Sequence, residues 1–205
     1  MSITSGFFNS INGDRLYNAE TIRNYFEGIV SDGVYQNVGN KLQVLAGDSG
    51  MTVKVRSGRA VIDGYWIKNT EDYTLTLNAA DASNPRYDAV VLKLDRTTIS
   101  RSFTIEIKTG GASPSPVKPT MTTDINGVTE KCLAYIYVAA NTTAIYQQYI
   151  IDMRSSNLCG WVTGLIQQVD TSDLFLQFQT AYESFYNQST SAFSTWFSDL
   201  TGGLS

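Results

Sequence analysis

The sequence predicts a mainly β protein: an antiparallel β-sandwich with a short N-terminal helix, followed by a long C-terminal α-helix that oligomerises. Short segments in which polar and apolar residues alternate indicate strands with one buried face. Turns rich in Gly and Asn separate these segments. From Asp170 onward the apolar period lengthens from two residues to about 3.6, which is typical of a helix. The chain of 205 residues is therefore expected to form a sandwich domain over 1–165 and a helical segment over 166–205.

The N-terminal helix is predicted over 19–30, with Asn18 as its N-cap. Four apolar side chains recur at the spacing that places them on one helix face. They are Ile22, Tyr25, Phe26 and Ile29. Gly33 follows the segment and is expected to stop the helix. We expect the apolar face to pack against the sandwich.

The middle of the sandwich is predicted in the segment from Gly50 to Leu77. Its alternating pattern indicates strands over 52–56, 59–63, 65–68 and 73–77. Ser57 and Gly58 are expected to form a turn, and Gly64 is expected to break or bulge its strand. Neighbours on a strand point to opposite faces, so at least one of Tyr65 and Trp66 is expected in the core.

The remaining strands are predicted on both sides of this segment. Their ranges are 42–45, 87–95, 103–108, 133–138 and 149–154. The segment 87–95 is the most continuously apolar, which indicates a central strand, and 103–108 is expected to pair with it antiparallel. Residues 110–119 hold three of the four prolines, so an extended loop without regular pairing is predicted there.

The C-terminal helix is predicted over 171–200, capped by Asp170 or Thr171. Its apolar stripe is aromatic and too large to remain exposed to water on a soluble protein, so we expect self-association. The predicted interface residues are Leu174, Phe178, Tyr182, Phe185 and Trp196. Ser189 interrupts the seven-residue pattern of a coiled coil at a position where an apolar residue is expected. An alternative, in which the stripe folds back on its own sandwich, stays open.

Charge argues against two classes of partner. The formal net charge is −4 and the sequence pI is about 4.8, whereas nucleic-acid binding needs clustered Lys and Arg. No Lys or Arg follows Arg154, which also disfavours anionic membranes. The sequence shows neither a signal peptide nor an apolar run of about 20 residues. The protein is therefore expected to be soluble and made in a cytoplasm.

Catalytic chemistry has little support in the residue types. Histidine is absent, which removes the commonest general base and zinc ligand. Cys132 and Cys159 lack CxxC spacing and lie in apolar contexts, so each is interpreted as a buried small hydrophobe, although a disulfide between them stays open. We expect no enzymatic activity and no catalytic, cofactor-binding or metal site.

Four segments follow one another between Ser5 and Thr171: GFFNSINGDRLYNAE, MTVKVRSGRAVIDGYWIKNT, NPRYDAVVLKLD and IIDMRSSNLCGWVTGLIQQVDT. In this order they resemble the baseplate-attachment domain of phage tail proteins. That family comprises baseplate upper proteins, tail fibres and receptor-binding proteins of phages of Gram-positive bacteria. The aromatic helix follows the similar region, as it often does in family members.

The resemblance implies a virion structural protein of the phage tail, made in the host cytoplasm. Its β domain would dock on the distal tail hub, and its helix would associate, usually as a homotrimer, to project receptor-binding components for host adsorption. The implied partners are other copies of the chain and other tail or baseplate proteins.

Two other functions compete with this interpretation. Exposed aromatic residues such as Tyr65, Trp66 or Tyr73 can stack on sugars, which favours a protein that binds host cell-wall polysaccharide directly. A glycosidase that uses two carboxylates needs no histidine. The available carboxylates are Asp63, Glu71, Asp72 and Asp88, but no spacing marks a pair.

Overall fold

A computed structural model describes residues 9–13, 17–164 and 172–202, with the side chains of the last segment described from Phe178 onward. The fold is mainly β and sandwich-like, with three antiparallel sheets, a short N-terminal helix and a C-terminal helix. The predicted fold class is therefore confirmed, and self-association of the helix stays a prediction. The chain divides into two compact units, Met1–Leu165 and Ile166–Ser205, which are described separately below.

The first unit contains one α-helix, ten strands and one short 3₁₀-helix within its described residues. The helix is α1 (Ala19–Glu27), and the 3₁₀-helix is Gln147–Tyr149. The strands are β1 (Gly33–Val34), β2 (Val44–Ala46), β3 (Thr52–Val55), β4 (Gly58–Ile62), β5 (Tyr65–Asn69), β6 (Tyr73–Thr76), β7 (Arg86–Asp95), β8 (Ser102–Lys108), β9 (Val128–Val138) and β10 (Ile150–Asp152).

The strands form two three-stranded sheets and one four-stranded sheet. Their orders are β1-β4-β5, β2-β3-β6 and β10-β9-β7-β8. A single apolar core joins all three sheets, with Ile62 from the first, Val53 from the second and Leu92 from the third, all fully buried. Strand β7 lies between β8 and β9, and β8 pairs with it antiparallel. The predicted central position of β7 and its pairing with β8 are thus confirmed.

The four-stranded sheet is also covered on its second face. Val91 and Tyr135 lie in a smaller buried cluster there, with Met121 packed against it. The Tyr135 hydroxyl donates a hydrogen bond to the Pro119 carbonyl oxygen at 3.0 Å. The proline-rich segment 110–119 contains no strand, as predicted, and its last residue accepts the bond from this face.

Gly58 plays a different part from the predicted turn. Strand β3 pairs with β2 and β6, whereas β4 pairs with β1 and β5, so the chain changes sheets at Arg56 and Ser57 instead of turning back. Gly58 itself begins β4, where a Cβ would lie 2.5 Å from the Leu42 backbone nitrogen. A residue without a side chain is therefore needed at position 58, where the two segments approach closely.

Gly33 was predicted to stop the first helix, and this prediction is wrong. The helix ends at Glu27, and Gly28 caps it. Gly33 instead begins β1 with φ of +142°, and a Cβ on it would lie 2.4 Å from the Gly160 carbonyl oxygen. The adjacent Val34 amide donates to that same oxygen at 3.0 Å.

Helix α1 is shorter than predicted, and its apolar face is not buried. Asn18 caps it as expected, because its side chain accepts a hydrogen bond from the Thr21 amide. No residue of α1 is buried, and Ile22, Tyr25 and Phe26 are about half exposed. The helix does meet the sandwich as expected, because Arg23 donates a hydrogen bond to the Asp63 carbonyl oxygen, but its apolar face stays half exposed to solvent.

Two arginines, Arg86 on β7 and Arg154 two residues after β10, hold the surrounding loops. Buried Arg86 pairs with buried Asp88, with its Nε 2.9 Å from the Asp88 Oδ1, and its terminal nitrogens donate to the carbonyls of Asn78 and Ala79. Arg154 pairs with Asp152 in the same two-residue spacing. Its Nη1 donates to the Lys41 carbonyl oxygen at 2.9 Å. Both ion pairs therefore have a structural role, because each arginine also binds backbone carbonyls of a neighbouring loop.

The second unit contains α2 (Ser172–Gly202). Its range agrees with the predicted helix over 171–200 to within two residues. The predicted cap residues Asp170 and Thr171 lie outside the described residues, and so does the side chain of Leu174. The described part of the chain contains no helix long and apolar enough to cross a membrane.

Candidate functional site

An open groove lies between α1 and the β4–β5 hairpin, and its volume is about 590 Å³. The hairpin turn is Asp63–Gly64, and both residues have positive φ, as a two-residue type I′ turn requires. A Cβ on Gly64 would lie 2.7 Å from the Arg23 carbonyl oxygen, so glycine allows α1 to approach here. The groove lining is Ala19, Glu20, Ile22, Arg23, Phe26, Gly64, Tyr65 and Trp66.

Tyr65 and Trp66 are both exposed, at 37 % and 64 % of their accessible surface. The expectation that one of them lies in the core is wrong. They belong to β5, an edge strand of its sheet, and an arginine lies over each ring. Arg23 lies 5.0 Å from the centre of the Tyr65 ring, and Arg59 lies 5.5 Å from the Trp66 ring.

The guanidinium carbon of Arg59 lies close to two aromatic rings, 5.9 Å from the centre of the Tyr35 ring and 5.5 Å from that of the Trp66 ring. The buried Nε of Arg59 has no hydrogen-bond partner among the described residues. Arg59 pairs with Lys68 across β4 and β5, which places two cations beside Trp66. The sheet therefore presents a basic and aromatic surface next to the groove.

Arg23, which lines the groove, and Arg96 both bind Asp63 of the hairpin turn. Arg23 donates from Nη1 to the Asp63 carbonyl oxygen at 2.9 Å and to Glu27 at 2.8 Å. Arg96 forms an ion pair with the Asp63 carboxylate and donates to the Thr129 hydroxyl at 2.9 Å. The groove lining thus combines two charged side chains, Glu20 and Arg23, with apolar and aromatic ones.

The four carboxylates considered for a glycosidase do not form a common site. Asp88 is buried, pairs with Arg86 and accepts a bond from the Gly110 amide at 3.0 Å. Asp63 pairs with Arg96, and Asp72 pairs with Arg56. The exposed Glu71 lies in the connection between β5 and β6. The described residues include no cluster of three or more Cys, Asp or Glu that is arranged to hold a metal.

Cys132 and Cys159 are free and buried. Burial raises the pKa of each thiol to about 12. A thiol with so high a pKa is protonated near neutral pH and is a poor nucleophile or metal ligand. The prediction of buried small hydrophobes is confirmed, and the open question of a disulfide between them is answered by two free thiols.

A second candidate surface is the apolar stripe of α2. The described interface residues from the sequence prediction all lie on it and are more than half exposed. With their neighbours they form a set of eight large side chains that are 52–70 % exposed: Phe178, Tyr182, Phe185, Tyr186, Phe193, Trp196, Phe197 and Leu200. We call this set the α2 stripe. Stacked rings run along it, including Phe193 and Phe197 at 6.3 Å.

The groove beside Trp66 was not predicted as a site from the sequence. The Asp63–Gly64 pair followed by Tyr65 and Trp66 contained the signal of a tight hairpin with aromatic residues directly after its turn. The position of α1 against that turn depends on contacts between distant segments, which local periodicity does not contain. Tyr73, the third aromatic considered for sugar stacking, lies on β6 in a different sheet.

Comparison of the sequence with models of known protein families gives no match, and no curated protein matches it either.

Proposed function

We propose that this protein is a structural protein of the bacteriophage tail tip. In this role it is an adaptor of the baseplate or tail fibre, which docks on the distal tail hub and holds or projects receptor-binding components during host adsorption. Its location is the virion, after synthesis in the cytoplasm of the bacterial host. The observation that carries the proposal is the exposed α2 stripe on a chain whose other unit is a β scaffold.

The resembling sequence segments support this assignment through the parts of the scaffold that they form. One segment spans β3, β4 and β5, another includes the buried pair of Arg86 and Asp88, and a third contains Asp152 and Arg154. The segments that carry the resemblance therefore form strands and hold loops. This suits a docking and holding role better than a catalytic one.

The α2 stripe is the assembly element in this proposal, and the assembly is a homotrimer. Burying one Phe side chain is worth about 1.5–3 kcal/mol relative to exposure. Phe178, Phe185 and Trp196 together therefore offer roughly 5–9 kcal/mol per chain before the cost of ordering side chains. Association with other copies removes this apolar surface from water.

Immunoelectron microscopy tests the location. Phage particles would be induced from the bacterium that carries the gene, and an antibody against this protein would be applied to intact particles. The proposal predicts label at the tip of the tail. Unlabelled tails in a lysate where the same antibody detects the soluble protein would contradict it. An antibody against a capsid protein controls for the integrity of the particles.

A second candidate function is direct binding of host cell-wall polysaccharide. The observation that favours it is the groove, where the 64 %-exposed Trp66 lies beside Tyr65 and the cations Arg23 and Arg59. Aromatic faces with flanking hydrogen-bond donors are a common way to hold a sugar ring. In this candidate the groove takes the glycan.

Binding of purified wall polysaccharide by Trp66→Ala and Tyr73→Ala separates the two functions. Trp66 lines the groove, whereas Tyr73 is a similarly exposed aromatic on another sheet. Sugar binding in the groove predicts at least about a tenfold loss for the first variant, which corresponds to 1.4 kcal/mol, and little change for the second. Absence of binding by the unmodified protein would reject this candidate and leave the tail-tip role standing.

A further inference from the structure

The apolar residues of α2 recur in steps of eleven. Tyr182 and Phe193 are eleven residues apart, and so are Phe185 and Trp196. Both pairs belong to the α2 stripe and are more than half exposed. A step of eleven residues takes three turns of helix and corresponds to about 3.67 residues per turn. Residues related by this step therefore stay on one face.

Two further positions follow the same step. Tyr186 precedes Phe197 by eleven residues, and Ser189 lies eleven residues from both Phe178 and Leu200. Ser189 is thus the single polar member of the pattern between Phe178 and Leu200. Every residue of this range outside the pattern is Ser, Thr, Asn, Gln, Ala, Glu or Asp. All large apolar side chains between Phe178 and Leu200 therefore belong to the pattern.

The side-chain geometry repeats with the same step. The rings of Tyr182 and Tyr186 stack with centroids 6.5 Å apart and an interplanar angle of 22°. Eleven residues later, Phe193 and Phe197 stack at 6.3 Å and 18°. The repeat is therefore present in the arrangement of the side chains as well as in the sequence.

Two threonines of the polar side repeat with the same step, and each donates a hydrogen bond within its own helix. The Thr190 hydroxyl donates to the Tyr186 carbonyl oxygen at 2.8 Å, and the Thr201 hydroxyl, eleven residues later, donates to the Phe197 carbonyl oxygen at 3.0 Å. Bonds of this kind within a helix leave the hydroxyls without need of a partner. The surface that needs covering is the aromatic one.

A seven-residue register describes the same helix less well. Starting from Phe178, it continues through Ser189, Ala192 and Trp196 and then places Asp199, a charged residue, in the core. It also leaves Phe197 on the outside of the bundle. The eleven-residue register leaves Asp199 outside and includes Phe197. Helices whose seam follows an eleven-residue repeat wind around each other with a right-handed twist, whereas seven-residue repeats give a left-handed twist.

The stripe matches the area of a helix–helix interface between copies. Aromatic side chains bury about 150–250 Å² each, so the exposed part of the stripe amounts to roughly 900 Å² per chain. A stable interface takes about 800 Å² from each partner, and the largest patch on a typical monomer is about 300–600 Å². The stripe carries no charge, so it offers no ion pair to a foreign partner. A second copy has the same repeat and can match it along the whole helix.

We propose that α2 associates with α2 of other copies along this eleven-residue repeat, and that the helices form a right-handed bundle. The inference rests on the self-assembly contained in the proposed function and specifies which side chains form the seam. Tyr186, Phe193, Phe197 and Leu200 belong to the seam in addition to the residues that the sequence pattern first indicated. Ser189 forms a polar layer between the aromatic layers on either side.

Three variants of the full chain test the register by sedimentation equilibrium. Phe185→Ser removes a seam residue in both registers and is the positive control. Phe197→Ser removes a seam residue in the eleven-residue register alone. Ala192→Gln enlarges a core position in the seven-residue register alone. The β unit's thermal transition, followed by circular dichroism, checks that each variant is folded.

The proposal predicts that Phe197→Ser, like Phe185→Ser, raises the dissociation constant at least about tenfold, while Ala192→Gln changes it less than about threefold. An unaffected Phe197→Ser assembly, or an Ala192→Gln assembly weakened as much as that of Phe197→Ser, overturns the eleven-residue seam and leaves self-assembly standing. A monomeric unmodified protein overturns both, and the stripe is then covered by its own chain.

Discussion

Removal of the Asp88 carboxylate is expected to be severely destabilising, whereas removal of the Asp72 carboxylate is not. Asp88 is fully buried and lies within 2.9 Å of the Arg86 guanidinium. It also accepts the Gly110 amide at 3.0 Å. Asp88→Ala leaves a buried guanidinium uncompensated and a backbone donor unpaired.

The size of the effect follows from this burial. Removing one partner of a buried ion pair costs about 3–5 kcal/mol, because the remaining charge stays out of water. The exposed pair of Asp72 and Arg56, at 3.2 Å, serves as the matched control, since a surface ion pair contributes about 0.2–1 kcal/mol. Asp88→Ala is thus expected to lower the free energy of unfolding several times more than Asp72→Ala.

Urea denaturation of the full chain, followed by the β-sheet circular dichroism signal, measures both changes. The double variant Arg86→Met with Asp88→Leu refines the test, because it removes the stranded charge but leaves the carbonyls of Asn78 and Ala79 without their donor. It should recover part of the loss. Equal stability of Asp88→Ala and Asp72→Ala would refute the structural role assigned to the buried pair.

Three further predictions concern backbone, pH and thiols. Gly33→Ala should lower the free energy of unfolding by more than about 1 kcal/mol, because its Cβ would lie 2.4 Å from the Gly160 carbonyl oxygen. Gly111 has open space around it, so Gly111→Ala should leave the melting temperature nearly unchanged. Equal melting temperatures of the two variants would contradict the close approach at Gly33. Burial alone raises the pKa of Glu130, but hydrogen bonds from Lys108 and Thr122 outweigh it and hold the pKa below its ordinary value. The Glu130 carboxylate therefore stabilises the fold at pH values above the ordinary Glu pKa of about 4.3, and that contribution is lost as the pH falls through the lower pKa of the folded state. Glu130→Gln should show a smaller drop in melting temperature between neutral and acidic pH than the unmodified protein. An equal drop would count against the role of the carboxylate. Because burial raises the pKa of Cys132 and Cys159 to about 12, neither thiol should react with an aromatic disulfide reagent at pH 8 in the folded protein, both should react after unfolding, and fast reaction of the folded protein would show an accessible thiol.

Local patterns predicted the elements whose pattern is strong and continuous. The apolar run of β7 indicated a central strand, and the change of period after Asp170 indicated α2; both are present. The short connection between β7 and β8 predicted their pairing correctly. In each case the information lies within one segment or between direct neighbours.

Long-range contacts were beyond reach of the same patterns. The local sequence at Ser57 and Gly58 predicted a turn, yet the chain crosses between two sheets there. Which strands pair depends on packing throughout the core, which a local pattern does not contain. Gly33 was predicted to stop the helix, yet a glycine is needed there because the Gly160 backbone approaches too closely for a Cβ. The apolar face of α1 predicted packing, but periodicity does not say whether a face is covered by its own chain or left for a partner.

The same distinction applies to the two candidate surfaces. The aromatic stripe of α2 was predicted from spacing, because one helix contains all of its members. The groove beside Trp66 was missed, because it needs α1 and the turn at Asp63 and Gly64 to meet. A surface built from a single element can be predicted from sequence, whereas a surface between elements needs their arrangement.

The mass of the unmodified protein in solution shows directly whether the chain self-assembles. Sedimentation equilibrium at tens of micromolar protein would compare it with a variant that carries both Phe178→Ser and Phe185→Ser. We expect three times the 22.6 kDa of one chain for the unmodified protein. For the variant we expect a single chain whose first unit still melts cooperatively. An unmodified protein that sediments as a single chain of 22.6 kDa would contradict it.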